Sequence, residues 1–186
     1  MELSLNLQLT KKLSDKLKVD IVEIDTSNYS DIDNYHCNLL KFGRDNCVLI
    51  TNDKTLFSFF IYGLKASDFK DFKESISQPI FKILMELGFS QSQFEKVLLS
   101  LENIQYSKTS NRSVISSMND MQKFIEGDVF DGESIFTINK RINHIPYKTN
   151  GYKQSIELFK ELLGGEDTKP HPQNFGGVNN VDWNGK

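Results

Sequence analysis

The segment Lys-Thr-Ser-Asn-Arg-Ser at residues 108–113 joins a stretch with strand-like alternation to the start of a helical pattern. The first turn of a helix offers unpaired backbone N–H groups and a positive dipole end, both of which favour anions. We therefore predict an anion site with these candidate ligands: Lys108, Asn111, Arg112, Ser113, Arg141 and His36. A plain helix N-cap at Asn111, followed by a solvated Arg112, fits the same pattern.

Arginine is scarce, because the chain holds 19 lysines and only three arginines, at positions 44, 112 and 141. An arginine in such a background marks a place that needs a planar guanidinium. In the predicted site, Arg112 would bind a phosphate through two hydrogen bonds and His36 would serve as a general acid or base. Arg141 lies between Asn139 and Asn143, which share one helix face and for which a solvated face is the simpler interpretation.

Other catalytic and metal-binding patterns are missing from the sequence. There is no G-x-S-x-G, P-loop, G-x-G-x-x-G or H-E-x-x-H motif. The three histidines are widely separated, and Cys37 and Cys47 lack the spacing of a zinc site. On a strand, Cys37 would face away from its neighbour His36, which argues against a Cys–His nucleophile. We expect no metal and no cofactor, and we expect a binding protein rather than an enzyme.

The elements that carry these residues follow from hydrophobic periodicity. Leucines at positions 3, 5, 7 and 9 alternate with polar residues and predict a strand with one buried face, and Thr10 follows as the N-cap of a short helix. Residues 36–63 predict a three-stranded meander. The following residues to 163 show apolar helical stripes, interrupted by the strand-like NIQYSK. Pro79 leaves one kinked helix or two helices open. The sequence predicts a single α+β domain in residues 1–163, with an antiparallel β-meander packed against several helices.

Residues 164–186 differ from the rest in composition, being rich in glycine, proline and asparagine. They predict an extended tail without regular secondary structure. Four apolar side chains are spaced along it and are candidates for binding a partner: Phe175, Val178, Val181 and Trp183. We expect Phe175 or Trp183 to anchor the tail, either on its own domain or on another chain.

Composition narrows the function classes further. The chain has 186 residues, 38% of them hydrophobic, and a formal net charge of −3. A domain-wide polycation for duplex nucleic acid is therefore excluded, so strong binding to duplexes is not expected. We expect no membrane span, because no apolar run is long enough, and two cysteines without a disulfide pattern favour a cytoplasmic location.

Several segments together resemble a bacterial family of domains of unknown function: TKKL, NYHCNLL, CVLITNDKTLFSFFIYGLKASDF, KTSNRSVISSMND and NKRINHIP, in that order. The same order is similar to the N-terminal segment of certain plasmid-encoded open-reading-frame proteins. The resemblance covers roughly residues 5–163. This chain has Tyr35 where such sequences often have tryptophan, and a single Arg44 where they often have paired arginines.

The resemblance supplies no activity and no catalytic role, but it implies a part in conflict between host and mobile element, or in regulation. We therefore predict a non-enzymatic binding or regulatory protein that acts through a protein partner. The alternative is an enzyme or sensor that binds a phosphate-bearing ligand, such as a nucleotide or nucleic acid, at the 108–113 turn.

Overall fold

The computed structural model describes residues 4–164. Its five strands are β1 (Leu5–Leu9), β2 (Asn34–Phe42), β3 (Asp45–Asn52), β4 (Ser58–Leu64) and β5 (Ile104–Lys108). Its α-helices are α1 (Lys11–Leu17), α2 (Phe72–Glu86), α3 (Gln91–Ser100), α4 (Arg112–Phe130), α5 (Ile135–His144) and α6 (Ser155–Leu162). The predicted tail, with Phe175, Val178, Val181 and Trp183, lies outside the described residues.

The strands form one sheet in the order β4-β3-β2-β1-β5. The strands β2, β3 and β4 are antiparallel neighbours, as the meander predicts, and the α+β class is confirmed. The sheet extends beyond this meander, because β1 pairs in parallel with both β2 and β5. Parallel neighbours require a crossover connection, which α1 and the loop after it provide between β1 and β2.

Both faces of the sheet are covered, by different helices. On one face, apolar side chains of β1, β2, β3 and β4 pack against α1, α2, α3 and α6. On the other, a smaller apolar cluster forms between β2, β3, β4 and the two helices α4 and α5. The sheet is therefore the middle layer of the domain, and none of the helices in the described part of the chain is long and apolar enough to cross a membrane.

Two local expectations change in the structure. The strand β1 is buried on both faces, so that its polar residues Asn6 and Gln8 have no solvent exposure. Alternating polarity there reflects a polar protein interior and not contact with water. Thr10 stands before α1, as predicted, but its hydroxyl donates to the Asn38 side chain (3.0 Å) instead of capping the helix. Of the two alternatives at Pro79, the structure has one helix, α2, with Pro79 inside it.

A cluster of phenylalanines joins the last helix to the sheet. The ring of Phe159 in α6 stacks on Phe57, with centroids 4.5 Å apart and ring planes 5° from parallel. Phe59 and Phe89 meet the same ring edge-on. All of these side chains are buried, so that α6 is held to the domain by apolar contacts around one aromatic side chain.

We expect Phe159→Ala to lower the free energy of unfolding by about 3–5 kcal/mol, because it leaves a cavity among the phenylalanine rings. Urea denaturation measures this change. Phe130→Ala is the matched control, since Phe130 is 90% exposed, and it should change the stability by no more than about 0.5 kcal/mol. Equal losses for the two variants would contradict the role assigned to Phe159.

Candidate functional site

The sheet face beneath α4 changes from apolar to polar as it approaches β5. Leu40, Leu49 and Phe60 belong to the apolar part. The polar part consists of side chains from three neighbouring strands, all of them buried: Asn6, Gln8, Asn34, His36 and Ser107. Burial of so many polar groups is tolerated only when each has hydrogen-bond partners. The partners in this structure come from one another and from two covering loops.

His36 is fully buried, and both of its ring nitrogens have partners. Its Nε2 lies 3.3 Å from the backbone N–H of Asn111 and accepts a hydrogen bond from it. Its Nδ1 lies 2.6 Å from Oδ1 of Asp53. Because Nε2 accepts, the ring proton of the neutral imidazole must be on Nδ1, from which it is donated to Asp53. His36 thereby links β2, the turn after β3 and the start of α4.

Gln8 makes a second connection between the same parts. Its Nε2 donates to Oδ2 of Asp53 (2.7 Å), and its Oε1 accepts from both the backbone N–H (3.2 Å) and the hydroxyl (2.8 Å) of Ser110. Both carboxylate oxygens of Asp53 are thus hydrogen-bonded. The loop between β5 and α4 contains backbone N–H groups that no strand or helix pairs. Their hydrogen bonds to side chains of the sheet hold this loop in place.

An open cleft of about 400 Å³ lies next to this network. It is lined by Asp53 and Asn111, by the residues Lys54 and Asp31 of flanking turns, and by the loop that precedes β2. The side chain of Asp53 is 18% exposed, whereas His36 behind it has no exposure. The cleft is polar and carries both signs of charge, which is compatible with a small polar ligand.

The candidate anion ligands do not converge on one site. Asn111 caps α4, with its Oδ1 accepting from the backbone N–H groups of Ser113 (3.0 Å) and Val114 (3.3 Å). The side chains of Lys108, Arg112 and Ser113 are exposed. Arg141 forms an ion pair with Asp128, near the opposite end of α4. Sixteen helical residues separate Asp128 from Arg112, which is about 24 Å.

Apart from the neighbouring residues 111–113 at the start of α4, His36 and Asn111 are the only two of these candidates that the described residues bring into contact. In this arrangement neither ring nitrogen of His36 is left for a substrate. The two cysteines do not supply a nucleophile either, because burial raises the pKa of the Cys37 thiol and raises that of Cys47 to about 11. Among residues 4–164, no cluster of His, Cys, Asp and Glu has the geometry to hold a metal ion.

Two asparagines of α5 hydrogen-bond the outer edge of the sheet. Asn143 accepts from the backbone N–H of Ser58 and donates to its carbonyl, both at 2.8 Å. Asn139 makes the same pair of bonds with the backbone of Phe60, both at 2.9 Å. Each side-chain amide therefore takes the place of a peptide group in a neighbouring strand. The spacing of four residues between the asparagines matches the two-residue repeat of β4.

The helices α2 and α5 stand on opposite faces of the sheet and leave a groove beside β4. We call it the edge groove. Its first section has a volume of about 710 Å³. Apolar side chains dominate its lining, and four of them are between 36% and 41% exposed: Tyr62, Phe81, Ile135 and Phe136. A patch of exposed aromatic and aliphatic residues between two helices is typical of a surface that binds another polypeptide.

A second section continues the groove towards α6. It has a volume of about 330 Å³ and shares Glu86 and Phe136 with the first. Its lining is more polar and includes Lys140, Glu157 and Lys160. Burial lowers the pKa of Lys160, whose Nζ donates to the carbonyl groups of Leu87 (3.3 Å) and Gly88 (3.1 Å). The edge groove thus runs from β4 to α6.

Comparison with known protein families finds one match, a domain of unknown function (DUF6933), over residues 6–158. The chain belongs to this family. The match includes all of the polar network and most of the edge groove, and it ends within α6. No curated protein and no solved structure matches the chain. The family assignment confirms a domain of unknown function and adds no activity.

The sequence indicated the pair Asn139 and Asn143 but not their hydrogen bonds to the backbone of β4. It did not indicate the edge groove. Ile135 has the spacing of the apolar stripe that includes Ile138 and Ile142, yet it is 38% exposed whereas those two are buried. Phe136 and Phe81 lie beside the buried stripes of their helices. Large apolar residues off the stripe of an amphipathic helix are the sequence signal that was available for this surface.

We expect the hydrogen-bonded network around His36 to be measurable in two ways. Nitrogen-15 NMR of the histidine ring at neutral pH should show a protonated Nδ1 and an unprotonated Nε2. Asp53→Ala should lower the free energy of unfolding by about 1–3 kcal/mol for each donor that it leaves unpaired, on Gln8 and on His36. Asp31→Ala, in the same cleft but 58% exposed, is the control. A ring protonated on Nε2 would refute the hydrogen-bond pattern.

Asn143→Leu keeps the side-chain size but removes both bonds to Ser58. We expect unfolding by urea to need less denaturant, with a loss of about 1–3 kcal/mol for each buried backbone group left unpaired. Asn119→Leu, on the exposed face of α4, should leave the stability nearly unchanged. If both variants are equally stable, the amide of Asn143 is not needed to complete the edge of β4.

Proposed function

We propose that this protein is a non-enzymatic binding protein that recognises an extended segment of a protein partner in the edge groove. The observation that carries the proposal is the set of exposed apolar side chains on α2, β4 and α5 that face one continuous groove. Aromatic anchors such as Phe81 and Phe136 are the kind of side chain that dominates binding energy at protein interfaces. The partner segment would carry spaced aromatic or aliphatic side chains.

Recognition in this groove would rest on side chains and not on strand addition. A peptide that adds to a sheet needs the outward N–H and C=O groups of the edge strand. At Ser58 and Phe60 those groups are already bonded to Asn143 and Asn139. An incoming segment therefore gains affinity from the apolar surface of Tyr62, Phe81, Ile135 and Phe136, which a charged or glycine-rich segment does not complement.

The alternative function, binding of a phosphate-bearing ligand, has less support. Of the six candidate residues, only Asn111 lines the polar cleft, and its amide oxygen already caps α4. Arg141 is paired with Asp128, which is about 24 Å from Arg112 along α4, and with Glu133. A role in conflict between host and mobile elements is the biological setting that the resemblance to plasmid-encoded proteins favours, and it stays a prediction.

A displayed library of random peptides tests the proposed function without knowledge of the natural partner. We expect peptides selected on the full chain to carry two or more aromatic or large aliphatic residues. Phe136→Asp should weaken their binding about tenfold or more, which corresponds to the loss of one apolar anchor. Fluorescence anisotropy of labelled peptides gives the dissociation constants.

Matched variants make this result specific to the groove. Asp is favourable in the first turn of a helix, so Phe136→Asp and Ile135→Asp should fold normally. Phe130→Asp changes an equally apolar residue that is 90% exposed and does not line the groove. Selected peptides that bind all three variants as tightly as the unchanged protein would refute the proposed function.

A further inference from the structure

The edge groove ends where the described chain ends. The residues Ile156, Glu157 and Lys160 of α6 line its second section, and Gly164 follows α6 within one helical turn. The carbonyl of Leu163 accepts a hydrogen bond from Lys96 (2.7 Å), which ties this end to α3. Gly164, the last described residue, is therefore about one helical turn beyond Lys160 of the groove.

The chain beyond Gly164 is long enough to follow the whole groove. The wall formed by α2 runs from Gln78 to Leu87, which is about 13.5 Å along the helix axis. Phe175 is eleven residues after Gly164 and can lie up to about 36 Å from it. An extended segment can thus pass the second section and place Phe175 in the first with slack to spare.

The chemistry of residues 165–186 complements the groove. Four apolar side chains are spaced along them, at positions 175, 178, 181 and 183. The first part of the segment is polar and carries both signs of charge (Glu166, Asp167 and Lys169), and so does the section of the groove nearest to Gly164 (Glu86, Lys140, Glu157 and Lys160). The apolar residues come later, and the section farther from Gly164 is the apolar one. Polarity thus decreases in the same order along the segment and along the groove.

We propose that residues 165–186 of this chain occupy its own edge groove and compete there with the partner. The proposal rests on the proposed function of the groove and names its resident occupant. A tethered segment acts at an effective concentration on the order of millimolar, so that modest intrinsic affinity is enough to keep the groove filled. A partner segment must then displace the tail, so that its apparent affinity is the intrinsic affinity multiplied by the fraction of grooves that the tail leaves free.

Trp183 is the only tryptophan, and its fluorescence therefore reports on the tail alone. In the full chain we expect acrylamide to quench Trp183 several-fold less efficiently than it quenches a free peptide of residues 165–186. Phe136→Asp should raise the quenching to the level of the free peptide, whereas Phe130→Asp should leave it unchanged. Circular dichroism confirms that each variant is folded.

Three results would overturn the proposal. In the first, acrylamide quenches Trp183 of the unchanged protein as readily as it quenches the free peptide. In the second, Phe136→Asp has no effect on this quenching. In the third, the protection of Trp183 from acrylamide increases with protein concentration, which would show that the tail binds a second copy and not its own domain.

A second measurement separates this proposal from the proposed function. The full-chain double variant Phe175→Ser/Trp183→Ser should bind the library-selected peptides more tightly than the unchanged protein does. Peptides that bind both forms equally, but still fail to bind Phe136→Asp, would overturn the tail as occupant and leave the groove as a binding site.

Discussion

Buried backbone N–H and C=O groups must be hydrogen-bonded, and in this domain side-chain amides do much of that work where regular secondary structure stops. Asn139 and Asn143 satisfy the edge of β4. Gln8 and His36 satisfy the backbone at the start of α4. Asn34 donates to backbone carbonyls of the loop that precedes β2. These bonds attach a helix and two loops to one sheet, and the positions of both the polar cleft and the edge groove depend on them.

The closed edge explains why a groove beside a sheet can remain available without inviting aggregation. An uncovered edge strand is a template for pairing with any other strand. At Ser58 and Phe60 of β4 the outward backbone groups are already hydrogen-bonded, so that strand pairing is prevented at these residues while apolar side chains next to them stay exposed. At the other edge, Val22 forms an isolated bridge with Ser107 of β5 and covers part of that strand. Selectivity in the groove then depends on side-chain shape and spacing.

Local patterns in the sequence predicted most of the elements, because those patterns are set by residues close together in the chain. Two local patterns illustrate this: Gly88 follows the apolar stripe of α2 and has a positive φ of 74°, and Gln93, three residues after Ser90, accepts from the Ser90 backbone N–H. The parallel pairing of β1 and the burial of Asn6 and Gln8 were not predictable in this way. Whether a polar residue on a strand faces water or a covering loop depends on residues a hundred positions away, as the bond between Gln8 and Ser110 shows.

The same distinction applies to Arg141. The sequence indicated it as a candidate ligand for an anion, and in the structure it forms ion pairs with acidic residues. Its guanidinium bonds to Asp128, which is buried near the end of α4, and lies 3.5 Å from Glu133 in the connection to α5. These ion pairs join the end of one helix to the next and thereby orient α5. The orientation of α5 decides whether Asn139 and Asn143 reach the backbone of β4, and it sets the wall of the groove that contains Phe136. An arginine that seemed suited to a ligand is thus a positioning residue for the surface on the other side of its helix.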